Sequence, residues 1–253
     1  MHRFYLPNFQ QPALSAEEAH HATHVLRVKD GETVNVFDGH GHEAQAQVAS
    51  ITGLSVGLKL LTQTGSAPLP CRITLAQAIP KKNMDLIVQK ATELGVAGIV
   101  PLISERTVVQ LDEDSKKIER WREIALEACK QSGNNWLPEI QAPQKARAFL
   151  DAPGQFDLKL IASLQPGSKP LKAILREVGR VTSRGVGAVP AEVSGPTTVL
   201  ALIGPEGDFT PAELAAGKSA GCLPLSLGPL VLRADTAALY ALSILHHELQ
   251  VWA

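Results

Sequence analysis

The spacing of apolar and polar positions changes near residue 70 of the chain. Before that point apolar residues come in short runs, Thr33–Phe37, 44–51 and 54–61, broken by Asp38-Gly39, Gly41 and Thr52-Gly53. Short strands divided by glycine turns predict a small β-barrel. Ahead of them Ser15 stands three residues before Glu18, a capping-box spacing that predicts a short helix carrying His20, His21, His24 and Leu26. The stretch TQTGSAPLP (62–70) is small, polar and proline-containing, and reads as a linker.

From Arg72 onward strands alternate with helices, the pattern of an α/β domain. A strand over 73–79 precedes a helix capped by Asn83, with Met84, Ile87, Val88, Ala91 and Leu94 on one stripe and Gly95 as its stop. Strand Gly98–Ile103 is followed by a longer helix opened by Ser115, with Ile118, Trp121, Ala125 and Ala128 inward, ending at Gly133. Strand Leu158–Ala162 and a helix over 171–178 come next, then a non-periodic stretch over 179–196 that predicts a mobile surface loop. The expected organisation is therefore a barrel over 1–68 and an α/β domain over 71–253, without internal repeats.

The densest signals lie in 198–250. The buried strand Val199 to Ile203 closes on Gly204-Pro205, and Thr210, Pro211 and Glu213 form a capping box with proline at the first helical position. A second strand over 223–227 closes on Gly228-Pro229, after which Asp235-Thr236 can cap a last helix burying Ala238, Leu242, Leu245 and Leu249. Two strands thus end in glycine-proline loops that open onto helix N-termini, the place where α/β sheets bind ligands. One such loop alone reads as an ordinary turn. Neither carries the Lys and Ser/Thr of a P-loop, and GPEG is not G-x-G-x-x-G, which favours a nucleoside ligand without a long phosphate tail.

Composition narrows the picture. No apolar run approaches a membrane span and the N-terminus lacks a signal-peptide core, so a soluble, cytoplasmic protein is expected. Cys71, Cys129 and Cys222 are widely spaced and read as reduced core thiols. With 24 Lys+Arg against 25 Asp+Glu, the chain has no global attraction for polyanions, and any nucleic-acid site must be a local patch such as Lys81-Lys82, Lys116-Lys117 or Arg120 and Arg122. His20 and His24 have zinc-ligand spacing without a third ligand at a suggestive interval, so no metal site is expected.

LIGPEGDFTPAEL (202–214) and LSLGPLVLRADTA (225–237), with VLRVKDGE (25–32), QKATELGV (89–96), PLISERTV (101–108) and RWREIALEACKQSG (120–133), resemble the SPOUT methyltransferases. Among these the chain is most similar to the ribosomal RNA uridine N3-methyltransferase family that modifies uridine 1498 of 16S rRNA. The resemblance implies a trefoil-knotted α/β domain behind an RNA-binding PUA-like β-barrel, a homodimer, and S-adenosylmethionine as cofactor. It assigns the cofactor to Leu202, Gly204, Pro205, Gly207, Ser226, Leu227, Gly228, Val231, Leu232 and Ala237. Because the uracil ring nitrogen carries a weakly acidic proton, a base or a cation should assist, with Arg233 the candidate for steadying the developing charge or gripping RNA phosphate and Glu206 and Asp235 the candidate bases. Both carboxylates lie at or near helix N-termini, where an acidic residue also serves as a cap. RNA contact is expected from Arg3, His24, Arg27, Lys29, Lys81, Lys82 and Arg106, with His21 a further candidate. Four positions depart from the family pattern: Asp208 stands for a usual glycine, Leu230 and Asn134 for usual arginines, and Asp235 for a usual glutamate. Competing expectations are an RNA-binding or ribosome-assembly factor that has lost turnover, and a SPOUT enzyme with another target nucleotide.

Overall fold

The structure, a computed structural model, describes residues 1–53, 55–107, 115–178 and 196–250. The predicted loop over 179–196 lies, but for Pro196, outside the described residues, as does position 54 at the predicted start of a strand. The chain forms two compact units, Met1–Pro68 with Ala125–Leu137, and Leu69–Ile124 with Pro138–Ala253.

In the first unit β1 (Arg3–Tyr5) runs parallel to β2 (Thr33–Phe37), and β3 (His42–Thr52) and β4 (Ser55–Gly65) complete the mixed sheet β1-β2-β3-β4 by antiparallel pairing. A bridge from Ala13 to Gly57 adds a short segment along β4. Alternate residues such as Val34, Val36, Ala44, Ala46, Val48, Val56 and Leu58 bury one face against Phe4, Leu6, Ala19 and Ala22. β4 continues to Gly65 through exposed residues, so 62–65 is strand and not linker. Backbone pairing with β3 holds it there, needing no apolar side chain.

Helix α1 (Ala16–His20) is shorter than predicted and passes into a π-helical turn at His21–Val25, where the Leu26 N–H donates to His21 O. Ser15 Oγ accepts the Glu18 N–H, but the Glu18 carboxylate does not return to the cap because Lys130 takes it. Burial, first, and the charge of Glu127 raise the Glu18 pKa. Burial opposes the Lys130 charge, yet its bonds to Glu127 and Glu18 outweigh that and raise its pKa. The 134–137 segment joins this unit through Gly41 N–H to Asn135 O, Leu137 N–H to Gly39 O and Trp136 Nε1–H to Ser66 O.

The second unit contains β5 (Arg72–Ala78), α2 (Met84–Glu93), β6 (Gly98–Ile103), α3 (Ser115–Ser132, whose last turns belong to the first unit), β7 (Glu139–Ile140), β8 (Gln144–Lys145) and α4 (Ala146–Asp151). It continues with β9 (Leu158–Ala162), α5 (Leu171–Glu177), β10 (Thr198–Ile203), α6 (Pro211–Ser219), β11 (Leu223–Leu225) and α7 (Ala234–Leu249). All pairs are parallel in the order β11-β9-β10-β5-β6-β7, with β8 also beside β6. β10 sits at the centre and its apolar run is buried, as a parallel strand covered on both faces requires.

Three local expectations are corrected. β11 stops at Leu225, two residues early, because Ser226 N–H turns to Lys169 O. Asn83 stands at the N-cap position of α2 as expected, but its side chain makes no capping bond: its backbone is left-handed at φ +71° and its side chain reaches Asp235. The last helix is capped at Arg233 by extended backbone, which places Asp235 inside its first turn. Among the described residues no helix is long and apolar enough to cross a membrane, and no three His, Cys, Asp or Glu cluster to hold a metal.

Candidate functional site

The C-terminal ends of the neighbouring strands β11, β9 and β10 open onto one cleft of about 560 Å³. Its wall comprises Ala162, Ser163 and Leu164 after β9, then Ile203, Gly204, Pro205, Glu206 and Asp208 from β10 and its loop. Leu227, Gly228, Leu230, Val231 and Leu232 follow β11, and Ala234 and Ala237 come from α7. The mostly apolar wall, with a few polar groups among the strand ends, suits a small-molecule site.

The loop after β10 is tied down from both flanks. Glu206 Oε1 accepts the Lys81 N–H at 2.9 Å, Arg106 Nη1 donates to Gly207 O at 2.5 Å, and Glu213 Oε1 accepts the Glu105 N–H at 3.0 Å. The Thr210–Glu213 capping box closes as predicted, with Phe209 buried beneath it. Asp208 holds φ +60° and its Oδ1 accepts the Phe209 N–H at 2.8 Å. A Cβ at Gly204 would lie 3.2 Å from Asp208 Oδ1 and Phe209 N, so glycine permits the tight turn. Gly228, at φ +107°, needs glycine for its backbone.

A second cavity of about 530 Å³ is lined by 80–83, Glu206, Arg233, Ala234 and Asp235, and shares Glu206 and Ala234 with the cleft. Asp235 Oδ2 accepts from Asn83 Nδ2 at 2.8 Å, and its Oδ1 accepts the Thr236 N–H at 2.8 Å. The Asn83 bond, chiefly, holds this carboxyl below the ordinary aspartate range. Beyond it a wide groove of about 1140 Å³ is bordered by 79–86, Lys117, Arg120 and Trp121. There Arg120 and Trp121 Nε1 both engage Asp85, while Lys81, Lys82 and Lys117 are exposed and make no ion pair among the described residues.

Of the residues assigned to a cofactor, Gly204, Pro205, Leu227, Gly228, Val231, Leu232 and Ala237 line the cleft. Leu202 instead lies in the core, Gly207 turns to Arg106, and Ser226 is half-buried with Oγ accepting the Gly228 N–H. Glu206, Arg233 and Asp235 meet in the second cavity, where Lys81 and Lys82 join them. Arg106 is spent on the Gly207 loop. In the first unit Arg27 and Lys29 are exposed and His24 stacks on His20 with centroids 4.4 Å apart. Arg3, 11% exposed, is engaged by Glu43, Asn135 and the Phe37 ring. Ala162, Ser163 and Leu164 were missed, although a polar residue directly after a predicted strand marks a strand end that could face a ligand.

Residues 67–246 match a family model described as an RNA methyltransferase domain, and residues 14–61 one described as an RNA methyltransferase PUA domain. The ribosomal RNA small subunit methyltransferase E of Bacillus subtilis is 30% identical over 94% of this chain and 91% of its own. That of Synechocystis is 33% identical over 91% of this chain and 71% of its own. The chain belongs to the ribosomal RNA small subunit methyltransferase E family.

Solved structures agree. A methyltransferase from Legionella pneumophila in complex with S-adenosylmethionine superposes with TM-score 0.83 at 35% identity, covering 97% of each chain. The family member from Neisseria gonorrhoeae, bound to S-adenosylmethionine, superposes with TM-score 0.81 at 31% identity over 98% of each. The fold class of the methyltransferase E family, a SPOUT-type α/β domain behind a PUA domain, is thus that of this chain.

Proposed function

We propose that this protein uses S-adenosylmethionine to methylate ring nitrogen 3 of a uridine, uridine 1498 of 16S rRNA in the small ribosomal subunit, as a cytoplasmic homodimer with a trefoil-knotted methyltransferase domain. The observation that carries the proposal is the junction of the apolar cleft with the cavity holding Arg233, Glu206 and Asp235. The cleft fits the cofactor's chemistry: Leu227, Leu232, Pro205 and Ala237 offer apolar walls for adenine, and the backbone at Gly228 is approachable without a side chain. When bound, S-adenosylmethionine supplies an electrophilic sulfonium methyl.

The residues of the second cavity divide the remaining work. Uracil N3 must lose a weakly acidic proton as it attacks, and the ring becomes anionic. Arg233, exposed at the head of α7, is the cation that stabilises that charge. Asp235, its ionised form favoured by the Asn83 bond, accepts and orients the N3–H, and Glu206 is the second acceptor. Exposed Arg27, Lys29, Lys81 and Lys82, with His24, are assigned to RNA contact. Leu230 and Val231, 73% and 78% exposed at the cleft rim with Leu164, support a dimer interface there, since exposed apolar clusters of this kind mark association sites.

The test is methyl transfer to small subunits from a strain lacking the enzyme, alongside calorimetric titration with S-adenosylmethionine. A new reverse-transcription stop at uridine 1498 is the expected result, because N3 methylation blocks base pairing. Absence of cofactor binding would leave a non-catalytic RNA-binding protein, and a stop elsewhere would mean another target.

A further inference from the structure

The Asn83 side chain has no role in the helix it precedes, although the Asn83 carbonyl accepts the Ile87 N–H at 3.0 Å. Its backbone stands at φ +71°, in the left-handed region that costs a non-glycine residue energy, and its side chain makes no capping bond to α2. Strain of this kind persists where surrounding contacts hold it, often at functional sites. Here the holding contact is Nδ2 to Asp235 Oδ2 at 2.8 Å, across 152 positions of sequence. The same short turn, through the Lys81 N–H, holds Glu206 Oε1 at 2.9 Å. One turn at the end of β5 therefore grips both carboxylates of the cavity beside Arg233, one from the loop after β10 and one from the head of α7.

We propose that Asn83 is a positioning residue for methyl transfer: its side-chain amide ties the 80–83 turn to Asp235 and sets where that carboxylate points in the cavity shared with Arg233 and Glu206. The inference rests on the reading of this site as methyl transfer to an RNA base. With Thr236 N–H on Oδ1 and Asn83 on Oδ2, both oxygens of Asp235 are fixed in place, and a carboxylate oxygen has a second lone pair for the substrate N–H. The other charges around Asp235 are Arg233, Glu206, Lys81 and Lys82 in the cavity, and Asp85 on α2, which Arg120 neutralises. Asn83 is thus the neutral donor that aims Asp235 and favours its ionised form without adding a charge that would compete for the substrate anion.

Asn83→Gly is the decisive variant, because glycine adopts φ +71° without strain and only the amide is lost. Its kcat on small subunits is expected to fall roughly ten- to a hundredfold, the value of one hydrogen bond to a charged group. KM for RNA and Kd for S-adenosylmethionine should stay within about twofold of wild type, since ground-state binding is not removed. The acid limb of the kcat–pH profile should move to higher pH, and so should the Asp235 carboxyl titration followed by carbon-detected NMR in the ligand-free protein. Asn83→Asp, which sets a second carboxylate against Asp235, should lower kcat further and move the limb further in the same direction. Wild-type turnover tests the proposed function; the variant-to-wild-type ratio and the ligand-free titration test Asn83. An Asn83→Gly kcat within about twofold of wild type, or an Asp235 titration at an unchanged pH, would overturn the assignment.

Discussion

Asp208 shows how a single side chain can stand in for glycine. Its φ of +60° is unfavourable for most L-residues, but aspartate tolerates it when the side chain bonds locally, and here Oδ1 takes the Phe209 N–H. The family resemblance marks position 208 as a departure, yet the special backbone that glycine would serve there is intact. Asp208→Val removes the local bond and places a β-branched residue in the left-handed region, so a loss of about 1–3 kcal/mol in unfolding free energy is expected from denaturant titration. Asp208→Gly should stay close to wild type. Arg233 is the converse case: its guanidinium is exposed and its cap role uses only backbone, so Arg233→Ala should leave the melting curve unchanged. Methyl transfer by that variant is expected to fall by about a hundredfold or more, the scale of losing one preorganised charge-stabilising group; full retained activity would remove Arg233 from the mechanism. At this scale the Gly-Pro loops, the Thr210–Glu213 box and the cleft-lining glycines were legible, because each follows from local backbone chemistry. The diversion of Arg3 to Glu43 and Asn135 was not legible, since those partners are brought in by the fold from far along the chain.

Among the elements, the apolar stripes placed α2, β6, β9 and β10 well, because their buried faces dictate the pattern. What periodicity could not show is where backbone hydrogen bonding outlasts it, as in β4, or changes pitch, as in the π-turn after α1. Two helices also meet through a polar contact that no pattern announces. His246 on α7 has Nδ1 at 3.1 Å from Leu94 O, the C-cap of α2, and because a carbonyl only accepts, that nitrogen carries the proton. Burial, with a smaller contribution from His247, pushes the His246 pKa below its ordinary value. The folded state therefore binds fewer protons at this site than the unfolded chain. Its stabilising effect is complete above the unfolded value of about 6.5 and is lost as the pH falls through that value toward the depressed folded one. Unfolding free energies measured across this window should drop more steeply in wild type than in His246→Asn, which keeps a donor but does not titrate. Parallel slopes would place the acid sensitivity elsewhere.

For the whole molecule, the strand order β11-β9-β10-β5-β6-β7 is what brings three strand ends to one cleft, and it could not be read from the chain because pairing partners are far apart in sequence. That is why 162–164 escaped notice while the two loops of 198–250 stood out. The charge balance was misleading in the same way: a net charge of −1 says nothing about distribution. The groove beside the Arg233 cavity carries Lys81, Lys82 and Lys117, while its one carboxylate among the described residues, Asp85, is already bound by Arg120. A strand of RNA led to Arg233 along this groove would place its phosphates against those lysines. Each phosphate contact releases counterions, so the logarithm of affinity falls with the logarithm of salt by roughly 0.7 per contact on single strands. Lys82→Ala with Lys117→Ala should therefore weaken binding of a single-stranded RNA oligonucleotide at low salt and flatten the slope by about one to two units. Neither lysine lines the cleft, so calorimetric affinity for S-adenosylmethionine should not change. Fluorescence anisotropy across a salt series reads the slope directly, and a slope equal to wild type would mean that the RNA backbone runs over another face.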